Sequence, residues 1–167
     1  MTSFFDITST LPWPNAIGKR TAVGPLVGAA ESEAISELAR TTPLILVITA
    51  TTAAAHNLAS ELPFFLSDDR EILLVPDWET LPYDNFSPHE DIVSDRLKAL
   101  SRLPTLKSGV VIVSVTTLMH RLAPRHFIDA GVLSLKTGET LDAEQFVRNL
   151  TRNGYRSVET VYEHGEF

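Results

Sequence analysis

At 167 residues, with 44% apolar and 21% charged residues, the chain has ordinary globular composition and length for one domain and part of a second. A net charge of −7 argues against a general electrostatic attraction to DNA or RNA and leaves room only for a local basic patch. Cysteine is absent, which excludes disulfides, thiolate zinc sites and a cysteine nucleophile. No apolar run is long enough to span a bilayer, and residues 1–15 lack the order of a signal peptide, so a cytoplasmic protein is expected.

Residues 1–18 contain Leu11-Pro12-Trp13-Pro14-Asn15, which blocks regular helix and predicts an irregular arm. Lys19 to Val23 reads as a short strand. From Gly28 to about Arg40 the spacing predicts a helix, with Val27, Ala30, Ala34, Ile35 and Leu38 on one side and Glu31, Glu33 and Glu37 on the other. Leu44 to Ile48 is a continuous apolar run, expected to be a strand buried on both faces. Thr51 or Thr52 can cap a second helix through Leu62, which Pro63 is expected to close.

Ile72 to Val75 predicts another strand, feeding the loop Asp77-Trp78-Glu79-Thr80-Leu81-Pro82-Tyr83-Asp84-Asn85-Phe86. The simplest reading of Trp78, Tyr83 and Phe86 is that they pin this loop onto the core. Ser87 suits a helix N-cap, Pro88 the first helical position and Glu90 the capping box. Val93, Leu97 and Leu100 then mark the inward stripe, with Asp91, Asp95, Lys98 and Arg102 outward. Gly109 to Val115 is the most apolar run of all. Thr116 and Thr117 can cap a short helix, Leu118 to Leu122, which Pro124 limits.

Short apolar strands alternating with helices predict an α/β fold, a parallel sheet with helices on both faces, over residues 19–122. The remainder, 123–167, reads as a small α+β unit. Val132 to Leu135 is a candidate strand, Asp142 to Asn153 a helix with Phe146, Val147 and Leu150 inward, and Tyr155 to Tyr162 a half-exposed strand. The chain stops at Glu163-His164-Gly165-Glu166-Phe167 with no closing element, so this unit is expected to be truncated.

A search for chemistry finds little. Gly24-Pro25-Leu26-Val27-Gly28-Ala29-Ala30-Glu31-Ser32 stands where a phosphate loop belongs, without a lysine followed by serine or threonine. Glu31 would place negative charge where a phosphate has to sit. The acidic pair that holds magnesium at a strand end is replaced by Ser114-Val115-Thr116-Thr117. There is no nucleophile elbow, and His56, His89, His120, His126 and His164 have no metal-ligand spacing. Glu79 with Asp84 or Asp91 could form a catalytic carboxylate pair, but a solvated acidic loop is simpler. No catalytic, cofactor or metal residue is therefore assigned. Arg121, Arg125, Arg148, Arg152 and Arg156 bias the last third toward positive charge.

The block from Asp77 to His89 resembles the amino-terminal region of the bacterial transcription-repair coupling factor family, Mfd. The similarity continues through Arg96-Leu97, Val111-Ile112-Val113, Thr116-Thr117-Leu118-Met119-His120-Arg121, Gly154-Tyr155-Arg156 and Glu163-His164-Gly165-Glu166-Phe167. The resemblance implies a UvrB-like module: a degenerate RecA-type, helicase-like domain joined to a domain that binds UvrA of nucleotide excision repair. It implies no cofactor and no activity for this chain. The family's RNA-polymerase-binding module and ATP-driven DNA translocase lie in other domains. Of the family's UvrA-docking unit, Tyr155, Arg156 and Phe167 are the candidate partner-binding residues here, and full binding is expected to need residues beyond 167. The interval Asp77–Ser87 is too short for the DNA-gripping hairpin of UvrB. The competing expectations are a domain with weak ATP-binding or helicase activity and a free-standing small-molecule-binding α/β protein.

Overall fold

The sheet has three strands, β1 (Leu44–Thr49), β2 (Glu71–Val75) and β3 (Gly109–Ser114), in the order β1-β3-β2. This is a computed structural model, and it describes residues 11–13, 16–66, 70–81, 83–132, 135 and 137–167. β1 and β3 pair in parallel, in register from Leu44 opposite Gly109 to Thr49 opposite Ser114. The central strand is β3, and all six of its residues are buried. That explains why its sequence runs Gly-Val-Val-Ile-Val-Ser with no polar alternation: a strand between two neighbours and covered on both faces has no solvent side.

The chain divides into two compact units. The first comprises the described residues up to Leu74 with Leu106–Val115, and the second Val75–Thr105 with Thr116–Phe167. In the first, helix α2 (Thr52–Phe65) lays Ala55, Leu58 and Leu62 against Val110 and Ile112, and Val47, Ile72 and Leu74 join this core. Thr51 caps α2, its hydroxyl accepting from the Ala54 N–H at 3.1 Å. Pro63 does not close the helix as expected; α2 runs on to Phe65 with the proline inside it. At the last turn, only one hydrogen bond is forfeited by the missing N–H. Helix α1 (Ala30–Thr41) packs on α2 and adds Ile35 to the core. Its buried side is Ser32, Ala34, Ser36 and Ala39 rather than the larger residues, while Val27 lies outside the helix and exposed. Small side chains permit a close helix pair, and the Ser32 hydroxyl is satisfied by donating to Glu61 at 2.9 Å.

Two expectations fail in this unit. Lys19 to Val23 forms no strand, because no partner strand is placed beside it among the described residues. β1 is not buried on both faces: Leu44, Leu46 and Ile48 are 44, 57 and 51% exposed. β1 stands at the sheet's edge, and the side carrying Val47 is the one that meets the α2 core.

The strand starts are tied together. Arg70, just before β2, donates from Nη1 to the Pro43 carbonyl and to Ser108 Oγ, each at 3.0 Å. The Gly109 N–H reaches the same Pro43 carbonyl at 2.8 Å. Gly109 has φ +148°, and a Cβ there would lie 2.3 Å from the Glu71 carbonyl oxygen, so no other residue fits.

In the second unit, helix α3 (Glu90–Arg102) runs into a 3-10 turn, Leu103–Thr105, and packs against α5 (Arg125–Gly131) with Ile128 buried. α3 begins two residues later than its serine and proline predict. Its N-cap is His89, whose ring Nδ1 accepts from the Asp91 N–H at 3.3 Å. The buried stripe is also displaced: Arg96 and Ala99 are buried, whereas Leu97 is 47% exposed. α5 has no counterpart in the predicted elements, and α4 (Val115–Leu118) is a single turn that starts before the threonines rather than after them. Helix α6 (Ala143–Arg152) matches its prediction, with Asp142 as N-cap accepting from the Gln145 N–H at 3.0 Å. Phe146 and Leu150 are only half-buried and Val147 is exposed, so the expected inward stripe is not fully covered. Tyr155 to Tyr162 is not a regular strand; it makes one isolated bridge, Arg156 to Glu166. The strand expected at Val132–Leu135 falls partly outside the described residues.

Replacing Gly109 with alanine should destabilise the fold by about 3 kcal/mol, from the backbone clash and the unfavourable φ together. Leu62→Ala, at a fully buried position, should cost about 3 kcal/mol through lost burial and the cavity left behind. Urea unfolding followed by circular dichroism reads both.

Candidate functional site

The polar groups of the second unit converge at its first residues. The carboxylate of Asp77 accepts hydrogen bonds from the Thr116 and Thr117 hydroxyls at 2.8 and 2.9 Å through one oxygen, Oδ2. So the threonines expected to cap a helix hold the loop's first carboxylate instead. From α3, the guanidinium of Arg96 enters the same place. Arg96 is 1% exposed, donates from Nη1 to the Pro76 carbonyl at 2.6 Å and lies 4.7 Å from the centre of the Trp78 ring.

The electrostatics of this pair follow from burial and hydrogen bonding. Burial pulls the Asp77 pKa upward. Hydrogen bonds from Thr116, Thr117 and the Glu79 and Trp78 N–H groups outweigh it, so the net shift is downward. Burial lowers the Arg96 pKa, and the Asp77 charge opposes that. Arg96 Nε and Nη2 find no hydrogen-bond acceptor among the described residues. The face of Trp78 and the charge of Asp77 remain to attract them, the ring contact being worth about 2 kcal/mol when desolvated. The set has a carboxylate, hydroxyls, a guanidinium and an indole, but no activated nucleophile. It can fasten a loop to a helix.

Beyond Trp78 the loop turns outward. Glu79 and Tyr83 have φ of +57° and +75°, the left-handed region that side chains disfavour. The Leu81 N–H donates to Asp84 Oδ2 at 2.7 Å, and the Asp84 N–H returns to the Leu81 carbonyl at 3.1 Å. Tyr83 is fully exposed and Phe86 is 82% exposed. The expectation that all three aromatics pin the loop to the core is therefore wrong for two of them. Trp78 alone anchors it, because the left-handed turn carries the chain away from the unit's interior.

Tyr155, Arg156 and Phe167 are brought together. The Arg156 N–H donates to the Gly165 carbonyl at 2.7 Å, the Phe167 N–H to the Arg156 carbonyl at 2.9 Å and the Val158 N–H to the Phe167 carbonyl at 2.9 Å. Tyr155 donates its N–H to Leu150 and closes α6. The Arg156 guanidinium lies 3.3 Å from Glu90 and 3.7 Å from Glu166, and His164 pairs with Asp91. Glu166 accepts from the Tyr162 and Glu163 N–H groups, which lowers its pKa. The terminal segment is thus tied to the first turn of α3.

Other predicted positions are not assembled into a site. No strand leads into α1 among the described residues, so Gly24–Ser32 lacks the strand–loop–helix frame of a phosphate loop. Glu31 and Glu33 occupy the first turn of α1, and Ser32 is bonded to Glu61. No group of three or more His, Asp or Glu residues is placed to hold a metal among the described residues. The residue that sequence reasoning missed is Arg96. The available signal was its place three residues after Val93 and four before Leu100, inside the α3 stripe.

No family model matches the chain. Among curated proteins it is 40% identical over 155 residues to the transcription-repair-coupling factor of Escherichia coli (strain K12), covering 92% of the chain and 13% of that protein. It is 41% identical over 146 residues to the factor of Haemophilus influenzae, with 87% and 13% covered. It is 38% identical over 141 residues to that of Mycobacterium bovis, with 79% and 11% covered. The chain is a relative of the transcription-repair-coupling factors. It spans about an eighth of the length of these relatives.

Asp77→Ala should destabilise the second unit by about 1 kcal/mol, because it removes the acceptor of the Thr116 and Thr117 hydroxyl bonds. The folded Asp77 carboxyl has a lowered pKa, so its contribution is complete above the unfolded carboxylate range and lost as pH falls through the folded value. Asp77→Asn should flatten that acid limb of the stability–pH curve, measured by urea titration across acidic pH.

Proposed function

We propose that the chain is a non-catalytic recruitment module of a cytoplasmic transcription-repair-coupling factor. In the longer protein it brings UvrA of nucleotide excision repair to a stalled RNA polymerase and helps hold the motor domains inactive until recruitment. Residues 123–167 act as part of the UvrA-docking domain and 19–122 as the UvrB-like one. RNA polymerase and DNA are contacted through other domains.

The observation that carries this reading is the terminal ladder. It draws Arg156 and Phe167, eleven residues apart in the sequence, onto adjoining backbone, with Tyr155 next to them and the Arg156 side chain half exposed. An arginine flanked by two aromatics is a composition enriched at interface hot spots. The non-catalytic part is supported at α1, where the lysine of a phosphate loop is missing and Glu31 and Glu33 stand at the helix start. Carboxylates there repel the anion that the helix N-terminus would otherwise attract.

Titration of purified UvrA against the full-length protein containing this chain should show saturable binding, and the 167-residue chain alone should bind more weakly. Arg156→Glu should weaken it at least tenfold, on the order of 1.4 kcal/mol. Absence of binding in both forms would overturn the recruitment role. A fluorescent ATP analogue with magnesium should give no saturable signal with the 167-residue chain; micromolar affinity would overturn the non-catalytic assignment.

A further inference from the structure

Leu81, Tyr83 and Phe86 project from the loop between β2 and α3, 74, 104 and 82% exposed. Three large apolar groups on one short loop are a cost in water unless something covers them. The described residues of the loop are held at several points. Asp77 and Trp78 clamp its start through Thr116, Thr117 and Arg96. Leu81 and Asp84 exchange hydrogen bonds across its turn. His89 caps the helix at its end. The positive φ at Tyr83 places the phenol outward at the expense of backbone strain, and no packing of that ring offsets the strain. A strained, preorganised and exposed aromatic knuckle has the properties of a binding element.

Its charge specifies the partner. Between Arg70 and Arg96 there is no lysine or arginine, while Glu79 and Asp84 flank the aromatics. The complementary surface is an apolar socket rimmed by lysine or arginine; nucleic acid, which is itself anionic, does not fit. In the sequence the knuckle also lies just before the helix start that holds the terminal ladder. Glu90 and Asp91, which open α3 only four residues beyond Phe86, hold Arg156 and His164.

We infer that the knuckle Leu81–Tyr83–Phe86 is a second contact element for the protein that docks on the Tyr155–Arg156–Phe167 ladder, seated in a basic-rimmed apolar socket. This rests on the recruitment reading above. Both elements belong to the second unit, and the first turn of α3 follows the one in sequence and holds the other through Glu90 and Asp91.

The test measures UvrA affinity for the full-length protein carrying Tyr83→Ala with Phe86→Ala, Tyr83→Gly, Glu79→Lys or Arg156→Glu. The double alanine variant should bind at least tenfold more weakly, and Glu79→Lys should weaken binding most at low salt. Tyr83→Gly separates a binding role from a structural one: glycine relieves the positive φ, so it should hold or raise the unfolding midpoint while still weakening UvrA binding. Wild-type affinity in the double alanine variant, with Arg156→Glu weakened, overturns the knuckle and leaves the ladder standing. No UvrA binding by the unmodified protein overturns both.

Discussion

A buried guanidinium organises the second unit. Arg96 on α3 is almost without solvent, and an isolated charge in that position would be prohibitive. It is tolerated because three different groups meet it: the Pro76 carbonyl, the face of Trp78 and the field of the Asp77 carboxylate. Asp77 is itself held by two threonine hydroxyls from the turn after β3. Hydrogen-bonded sets of this kind are coupled, so that replacing one member alters the others. The loop that leaves Trp78 can therefore be irregular and outward-facing without being loose, since its origin is fastened to a helix and to a neighbouring turn.

The first unit depends on a different constraint, close approach at the strand starts. Gly109 lets β3 come against the Glu71 carbonyl, and Arg70 gathers the carbonyl before β1 and the serine before β3. With the strand starts fixed, Val110 and Ile112 fall opposite Leu58 and Leu62 of α2, and burial does the rest. Two arginines thus organise the two units by the same means. Each donates from Nη1 to a backbone carbonyl beside a strand end, Arg70 to Pro43 and Arg96 to Pro76.

The parallel sheet was legible because a strand covered on both faces must be continuously apolar, as Gly109 to Ser114 is. The same rule misled at Leu44 to Ile48. An edge strand with one uncovered face can carry an identical apolar run, and nothing local in the sequence distinguishes edge from centre. Helix α3 was legible in existence and not in phase. Ser87 and Pro88 are strong start signals, yet the histidine ring two residues on supplies the cap, and Arg96 takes the inward position that pattern reading reserves for leucine. α5 was missed because Arg-His-Phe-Ile-Asp-Ala-Gly is too short to show a period. For the terminal ladder, the resemblance named Tyr155, Arg156 and Phe167, but only coordinates bring Gly165 and Phe167 back beside Arg156. Pairing between residues nine and more apart, without regular alternation, leaves no periodic mark.

The acidic residues of the chain sort by what opposes them, and that bears on function more than their number does. Glu90, Asp91 and Glu166 meet Arg156 and His164, so they serve to join the terminal segment to α3. Glu61 accepts from Ser32 near the start of α1, and Glu31 and Glu33 complement that helix's own dipole. Those carboxylates stabilise an α1 with no anion bound, whereas a phosphate site would need the helix start kept free of them. The same charge type thus plays different parts at two helix starts. At α1 it complements the helix's own dipole, and at α3 it also pairs with Arg156 and His164 of the terminal segment.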